Sequence, residues 1–262
     1  MCKIYAIASQ KGGVAKSSTV LNLATALGLM GKKVLAVDLD PQGSLSICAG
    51  VQNPDNLTYT TYSLLNAAMN EDKLPEPSEY IVPCEEIDVI PCNITLSAFE
   101  LNRGHEIGAE RALQTVIKPL RELYDIILYD TGPSLGILTI NAITASDSVI
   151  IPVTPQLLSA VGLKMLIKTI GKVQKHINPD VSIEGVLMTM CDTRTNLYRD
   201  MSDIMETSYS QTLRIFDTII PHSTKVGEAN LNRKSVLLYD KNSKPSQAYM
   251  NFAKELIDNG CA

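Results

Sequence analysis

Ten residues near the N-terminus, SQKGGVAKSS (9–18), carry the side chains best suited to chemistry. A phosphate chain needs converging backbone N–H groups, a cation for its oxygens and a hydroxyl for the metal that accompanies it. Gly12 and Gly13 let the backbone turn tightly and approach an anion with no Cβ in the way. Val14 and Ala15 complete the turn, Lys16 can reach the β/γ oxygens, and Ser17 can offer its hydroxyl to Mg2+. Ser18 follows at the start of a helical pattern, where unpaired N–H groups and the helix dipole favour an anion. The stretch departs from G-x-x-x-x-G-K-[ST]: with Lys16 and Ser17 aligned, the two glycine positions hold Gln10 and Ala15. Ala15 is therefore expected at negative φ, because a non-glycine residue at positive φ is strained. A second lysine, Lys11, has no place in that pattern.

Two acidic segments accompany the loop. VLAVDLDPQGS (34–44) places Asp38 and Asp40 at the end of an apolar run, just before a turn at Pro41 and Gly43. YDIILYDTGPSLG (124–136) ends another apolar run in Asp130, which fits a carboxylate that holds Mg2+ through water. Asp125 starts that run and is expected at the surface. The bland alternative is that these acids only cap turns.

The elements that must position these groups are legible in the apolar runs. KIYAIAS (3–9), KVLAVDLD (33–40), IDVIPC (87–92), YDIILYD (124–130), DSVIIPV (147–153), VSIEGVLMTM (181–190) and RIFDTIIP (214–221) read as strands covered on both faces. Helical patterns lie between them, at 17–31, 108–123, 157–177 and 246–260. Such alternation predicts an α/β fold, a doubly wound and mostly parallel sheet with helices on both faces. In that fold the strand C-termini line the ligand crevice. There is no internal repeat, and the loosest stretch, 50–80, reads as an excursion, so residues 1–262 are expected to form a single domain.

Composition sets further bounds. A hydrophobic content of 45% supports a sizeable core built mostly from Leu, Ile, Val, Ala and Met, since there is no Trp and only three Phe. The net charge of −5 excludes chain-wide attraction to nucleic acid, so any such contact needs a local patch. No apolar run reaches membrane-spanning length, and the N-terminus lacks a signal-peptide pattern. The six cysteines, Cys2, Cys48, Cys84, Cys92, Cys191 and Cys261, form no C-x-x-C pair and read as free thiols of a reducing cytoplasm.

K-G-G-V-x-K-[ST]-[ST] resembles the deviant Walker A loop of the ParA/MinD ATPases. The likeness extends to D-x-D-P-Q-G at 38–43, to the Asp130 segment, and to NAITASDSVIIPV (141–153), EGVLMTMCDTRTNL (184–197) and VLLYD (236–240), covering nearly the whole chain. These segments are closest to the short Soj-type ParA proteins. The resemblance implies a P-loop ATPase whose cofactors are ATP and Mg2+. It implies a homodimer formed on ATP binding, in which Lys11 contacts the phosphates held by the other subunit. It assigns Asp40 to the attacking water and Asp38 to a structural or second-sphere magnesium role, and it places adenine near Pro221. It further implies non-specific DNA binding, a ParB-like partner that triggers hydrolysis, and a cytoplasmic, nucleoid-associated protein. The DNA-binding positions are Arg194 and Lys225, with Arg233 and Lys234 in a locally basic stretch (222–244) that a solvated loop would also explain. The chain starts at the phosphate-loop strand, so specific operator binding is not expected.

Departures from the family pattern are Ala15 for glycine, Gly132 for proline, Lys225 for arginine and His222 for arginine. A MinD-like ATPase acting on a membrane or protein surface is the rival reading. It would need a basic amphipathic tail, and NFAKELIDNGCA has one Lys, one Glu and one Asp. A metal-cluster reductase would need paired cysteines after the Asp130 segment, which the sequence lacks. A module that holds ATP without hydrolysing it sits poorly with Asp40.

Overall fold

The Ile/Val/Leu runs form eight strands in the computed structural model, which describes residues 2–258. These are β1 (Lys3–Ile7), β2 (Val34–Leu39), β3 (Val82–Cys84), β4 (Ile87–Ile90), β5 (Ile126–Thr131), β6 (Ser148–Val153), β7 (Ser182–Cys191) and β8 (Ile215–Pro221). They make one sheet in the order β3-β4-β2-β5-β1-β6-β7-β8. Every pairing is parallel except that of β3 with β4. The chain crosses from one side of β1 to the other between β5 and β6, so the order reverses around the strand that carries the phosphate loop.

Among the described residues, twelve helices surround the sheet: α1 (Lys16–Leu29), α2 (Ser44–Cys48), α3 (Thr61–Met69), α4 (Pro77–Tyr80), α5 (Ser97–Arg103), α6 (Ala112–Ile117), α7 (Ile137–Ala145), α8 (Leu157–His176), α9 (Asn196–Tyr209), α10 (Thr224–Leu231), α11 (Val236–Tyr239) and α12 (Lys244–Asp258). One face of the sheet packs a core with side chains from α3 and α5 to α9, among them Leu64, Phe99, Leu138, Leu166 and Met201. The other face packs α1 and α10 to α12, with Leu23, Ala229, Leu237 and Phe252. The double cover explains why the central strands are apolar at almost every position.

The fold class matches the sequence expectation, and three local readings change. Residues 108–123 do not form one helix. Gly108 sits at φ +88, and Pro119, which has no N–H, leaves α6 between two 3-10 turns. The stretch 50–80 holds α3, whose first turn is closed by a reciprocal cap in which Ser63 accepts from the Thr60 N–H at 2.8 Å. The antiparallel β3 is three residues long and contains Pro83, too little for an alternating pattern. Cys2, Cys48, Cys84, Cys92 and Cys191 are free thiols, while Cys261 and the end of the expected C-terminal helix lie outside the described residues. Among the described residues no helix is long and apolar enough to cross a membrane.

Candidate active site

Parallel pairing puts the C-termini of β1, β2, β5, β6, β7 and β8 on one edge of the sheet, and the loop SQKGGVA leaves β1 there to enter α1. Gly13 has φ +71 and Ala15 has φ +63, with Val14 between them on the ordinary side. The expectation of negative φ at Ala15 is thus corrected: Ala15 caps α1 in the left-handed region. Alternating hands of this kind turn successive N–H groups toward one point, making an anion nest. The loop accepts a strained alanine because its direction of entry into α1 requires that step. Thr189 on β7 pins the loop, donating to the Val14 carbonyl at 3.0 Å.

Lys16 begins α1 and is buried. Its ammonium donates to the Lys11 carbonyl at 3.3 Å. Burial draws its pKa down, and the nearby Asp130 and Asp40 oppose that pull. Ser17 and Ser18 follow, partly open to solvent.

Asp38 and Asp130 are direct register partners on β2 and β5, and both are fully buried. Their surroundings differ. Asp38 accepts from the Ser46 hydroxyl at 2.7 Å, the Ser46 N–H at 2.9 Å and the Asp40 N–H at 3.1 Å. It ties the turn after β2 in place. Asp130 accepts no hydrogen bond at either oxygen. Burial and then the neighbouring Asp38 push its carboxyl well above the usual range, and the Ser17 hydroxyl and Lys16 lie near enough to pull the other way. An unpartnered carboxylate beside a hydroxyl and an ammonium is a donor set that suits a hard divalent cation with its waters. Ser17 and Asp130 therefore fit Mg2+.

Asp40 stands half-buried at the mouth of the same turn. Its carbonyl accepts from the Cys92 thiol, and its carboxylate accepts from the Gln42 N–H at 3.0 Å. A Cβ on Gly132 would lie 3.6 Å from the Asp40 carboxyl carbon, an ordinary contact, and Gly132 is not at positive φ. Nothing in the backbone demands glycine there.

Lys11 folds back within its own chain. Its ammonium donates to Thr154 at 3.2 Å, to Ser159 at 3.3 Å and to the side-chain oxygen of Gln156. These groups sit between the end of β6 and the first turn of α8. Nothing in PVTPQLLS marks them as a lysine cradle, and only the folded chain brings them to Lys11.

Pro221, at the end of β8, lines a cleft of about 820 Å³ with Cys191, Asp192, Arg194, His222 and Gln247. The four basic positions singled out from the sequence do not form one open cationic patch. Arg194 pairs with Asp192 at 2.9 Å and Lys225 with Glu228 at 2.8 Å. Lys234 pairs with Glu85 at 3.1 Å, at the edge of the sheet where β4 begins. Arg233 is exposed, at φ +53.

A parallel sheet with a phosphate nest after its first strand, and a buried acid pair on two flanking strands, defines a nucleotide-binding fold of the P-loop type. A family model described as an AAA domain (AAA_31) matches residues 2–183. The sporulation initiation inhibitor protein Soj of Bacillus subtilis is 39% identical over 260 residues, 99% of this chain and 100% of that protein. The chromosome partitioning protein ParA of Caulobacter vibrioides is 35% identical over 97% of this chain and 94% of its own length. The chain belongs to this Soj/ParA family. A crystal structure of cobyrinic acid a,c-diamide synthase from Mycobacterium smegmatis, with a bound ATP analogue and magnesium, superposes with a TM-score of 0.83 at 33% identity, covering 99% of this chain and 96% of the other.

Proposed function

We propose that the chain is a DNA-partition ATPase that binds ATP with Mg2+, dimerises around it, holds DNA non-specifically in that state and lets go on hydrolysis. The single observation that carries the nucleotide reading is Asp130, a fully buried carboxylate with no hydrogen bond, beside Lys16 and at the foot of a left-handed phosphate nest. In this reading the amides of Gly12 to Ser18 and the Lys16 ammonium hold the phosphates, and Ser17 with Asp130 holds the cation through its hydroxyl and a water. When bound, Mg2+ neutralises charge on the phosphate oxygens. Asp40 orients the attacking water, Lys11 of the opposite subunit adds positive charge in trans, and the Pro221 cleft takes the adenine. Arg233 contacts DNA, as do Arg194, Lys225 and Lys234 once their ion pairs open. A ParB-like partner stimulates turnover. The protein acts in the cytoplasm, on the nucleoid.

The test is binding of the Asp40→Ala protein to random-sequence DNA across a salt series, with ATP–Mg2+ and with ADP. Tight, salt-sensitive binding with ATP alone is expected. If the protein dimerises but ignores DNA at low salt, the DNA reading fails, and anionic liposomes become the next surface to try.

A further inference from the structure

A run of open positive charge lies on α8, an element that carries none of the basic positions considered above. This helix contains Lys164, Lys168, Lys172 and Lys175 and no acidic residue over its 20 positions. All four lysines are exposed, and none lies within ion-pairing distance of a carboxylate among the described residues. At 100° per residue the four fall within an arc of roughly 80°, forming a stripe about 16 Å long. Lysines four apart on a helix repel, and a helix built only for stability would place Glu among them. Here the sequence keeps the repulsion, on a chain that carries more acids than bases overall. Taking the four lysines out of the net charge of −5 leaves −9 for the rest of the chain.

We infer that the exposed face of α8 is a docking surface for the phosphate backbone of double-stranded DNA. The claim rests on the reading above that DNA is the ligand, and adds where DNA lies. Charge complementarity selects the partner: roughly nine duplex phosphates occupy 16 Å of helix axis. A bilayer fits less well. The apolar face of α8, with Leu163, Leu166, Ile170 and Val173, is buried in the core and cannot enter lipid, and among the described side chains of α8 the large hydrophobic ones left exposed are Val161 and Met165. The absence of base-edge readers such as Asn or Arg within the stripe matches contact with phosphates rather than sequence. The helix also starts at the residues that hold Lys11, so the stripe and the phosphate loop meet at one end of a single rigid rod.

The experiment compares the wild-type chain, a Lys164→Gln/Lys168→Gln/Lys172→Gln/Lys175→Gln variant and a Lys225→Gln/Lys234→Gln variant. Each is titrated onto random-sequence duplex with a non-hydrolysable ATP analogue and Mg2+ over a salt series. The α8 variant is expected to lose at least tenfold in affinity. Its log K against log salt slope should become shallower by about 0.9 for each phosphate that is no longer neutralised. The substitutions are at exposed positions and remove like-charge repulsion, so DNA-free ATP turnover should not move and melting should not fall; a Lys168→Glu/Lys172→Glu variant should weaken binding further. Wild-type affinity and slope in the four-lysine variant would overturn the α8 surface while leaving DNA binding in place, and loss confined to the Lys225/Lys234 variant would do the same. If wild type ignores duplex while still binding and hydrolysing ATP, both the surface and the DNA reading fall. Stripe-dependent binding to phosphatidylserine vesicles in that case would assign α8 to a membrane.

Discussion

Single residues explain most of the site. The phosphate loop was legible because phosphate needs glycines, a lysine and a hydroxyl in a fixed order, whatever the rest of the chain does. Ala15 was not legible, because its φ is set by how the loop must enter α1, and that geometry overrides the residue's own preference. A left-handed alanine costs on the order of 1–2 kcal/mol, while glycine gives back about 0.4–1 kcal/mol through unfolded-state entropy. Ala15→Gly should therefore hold or raise the melting temperature by a few degrees, whereas Ala15→Val should lower it. A clear drop on Ala15→Gly would mean the alanine side chain is packed rather than strained. Asp130 gives a second prediction. Its folded pKa is raised, as is that of Asp38, so the folded state holds protons that the unfolded chain releases above about pH 4. That stabilisation is complete at low pH and is lost as pH rises through the folded values. Nucleotide-free Asp130→Asn protein should melt above wild type at pH 8, with the gap closing on acidification, and should lose the rise in melting temperature that ATP–Mg2+ gives. An equal gap at all pH values would mean Asp130 is not the buried charge described here.

Among the elements, the long apolar strands and α1, α8 and α12 were readable because packing on both faces of a sheet repeats one signal many times. The failures are physical. Three residues of β3 cannot show a period, Pro119 breaks a helix whose apolar spacing is otherwise sound, and α9 buries little more than Met201 and Met205 among charged neighbours. Nothing in the sequence marked the stretch from the end of β6 to the first turn of α8 as a partner of Lys11, yet it grips Lys11 through Thr154, Gln156 and Ser159. If Lys11 acts on another subunit, this grip competes with dimerisation. Burial also draws the Lys11 pKa down, so the resting contact already disfavours its charge. Gln156→Ala removes one charge-assisted partner at a half-open site, worth roughly 1 kcal/mol or about fivefold in equilibrium. The variant should dimerise with ATP several-fold more tightly by sedimentation. Weaker dimerisation would mean that α8 presents Lys11 to the partner instead of restraining it.

At the scale of the whole molecule, the site and the open charge lie on different parts of the fold. One edge gathers the phosphate nest, the acid pair and the Pro221 cleft, and α8 carries its open charge down one side. A chain of net charge −5 that is to coat DNA gains from pairing, since two copies double the number of phosphates neutralised and steepen the salt dependence. Pairing across the loop, as proposed, would also give separate roles to two lysines five residues apart. Lys16 is buried near Asp130 and Asp40, and in the proposed function it serves its own nucleotide. Lys11, at the rim, has no anion of its own to hold and rests on neutral oxygens. The two should therefore separate on substitution. Lys16→Ala should abolish binding of a fluorescent ATP analogue and leave a monomer under all conditions. Lys11→Ala should keep most of the nucleotide affinity yet remain monomeric by sedimentation with ATP–Mg2+, under conditions where wild type is expected to dimerise. A Lys11→Ala protein that dimerises as wild type does would remove the sandwich arrangement, and with it the reason for the second lysine.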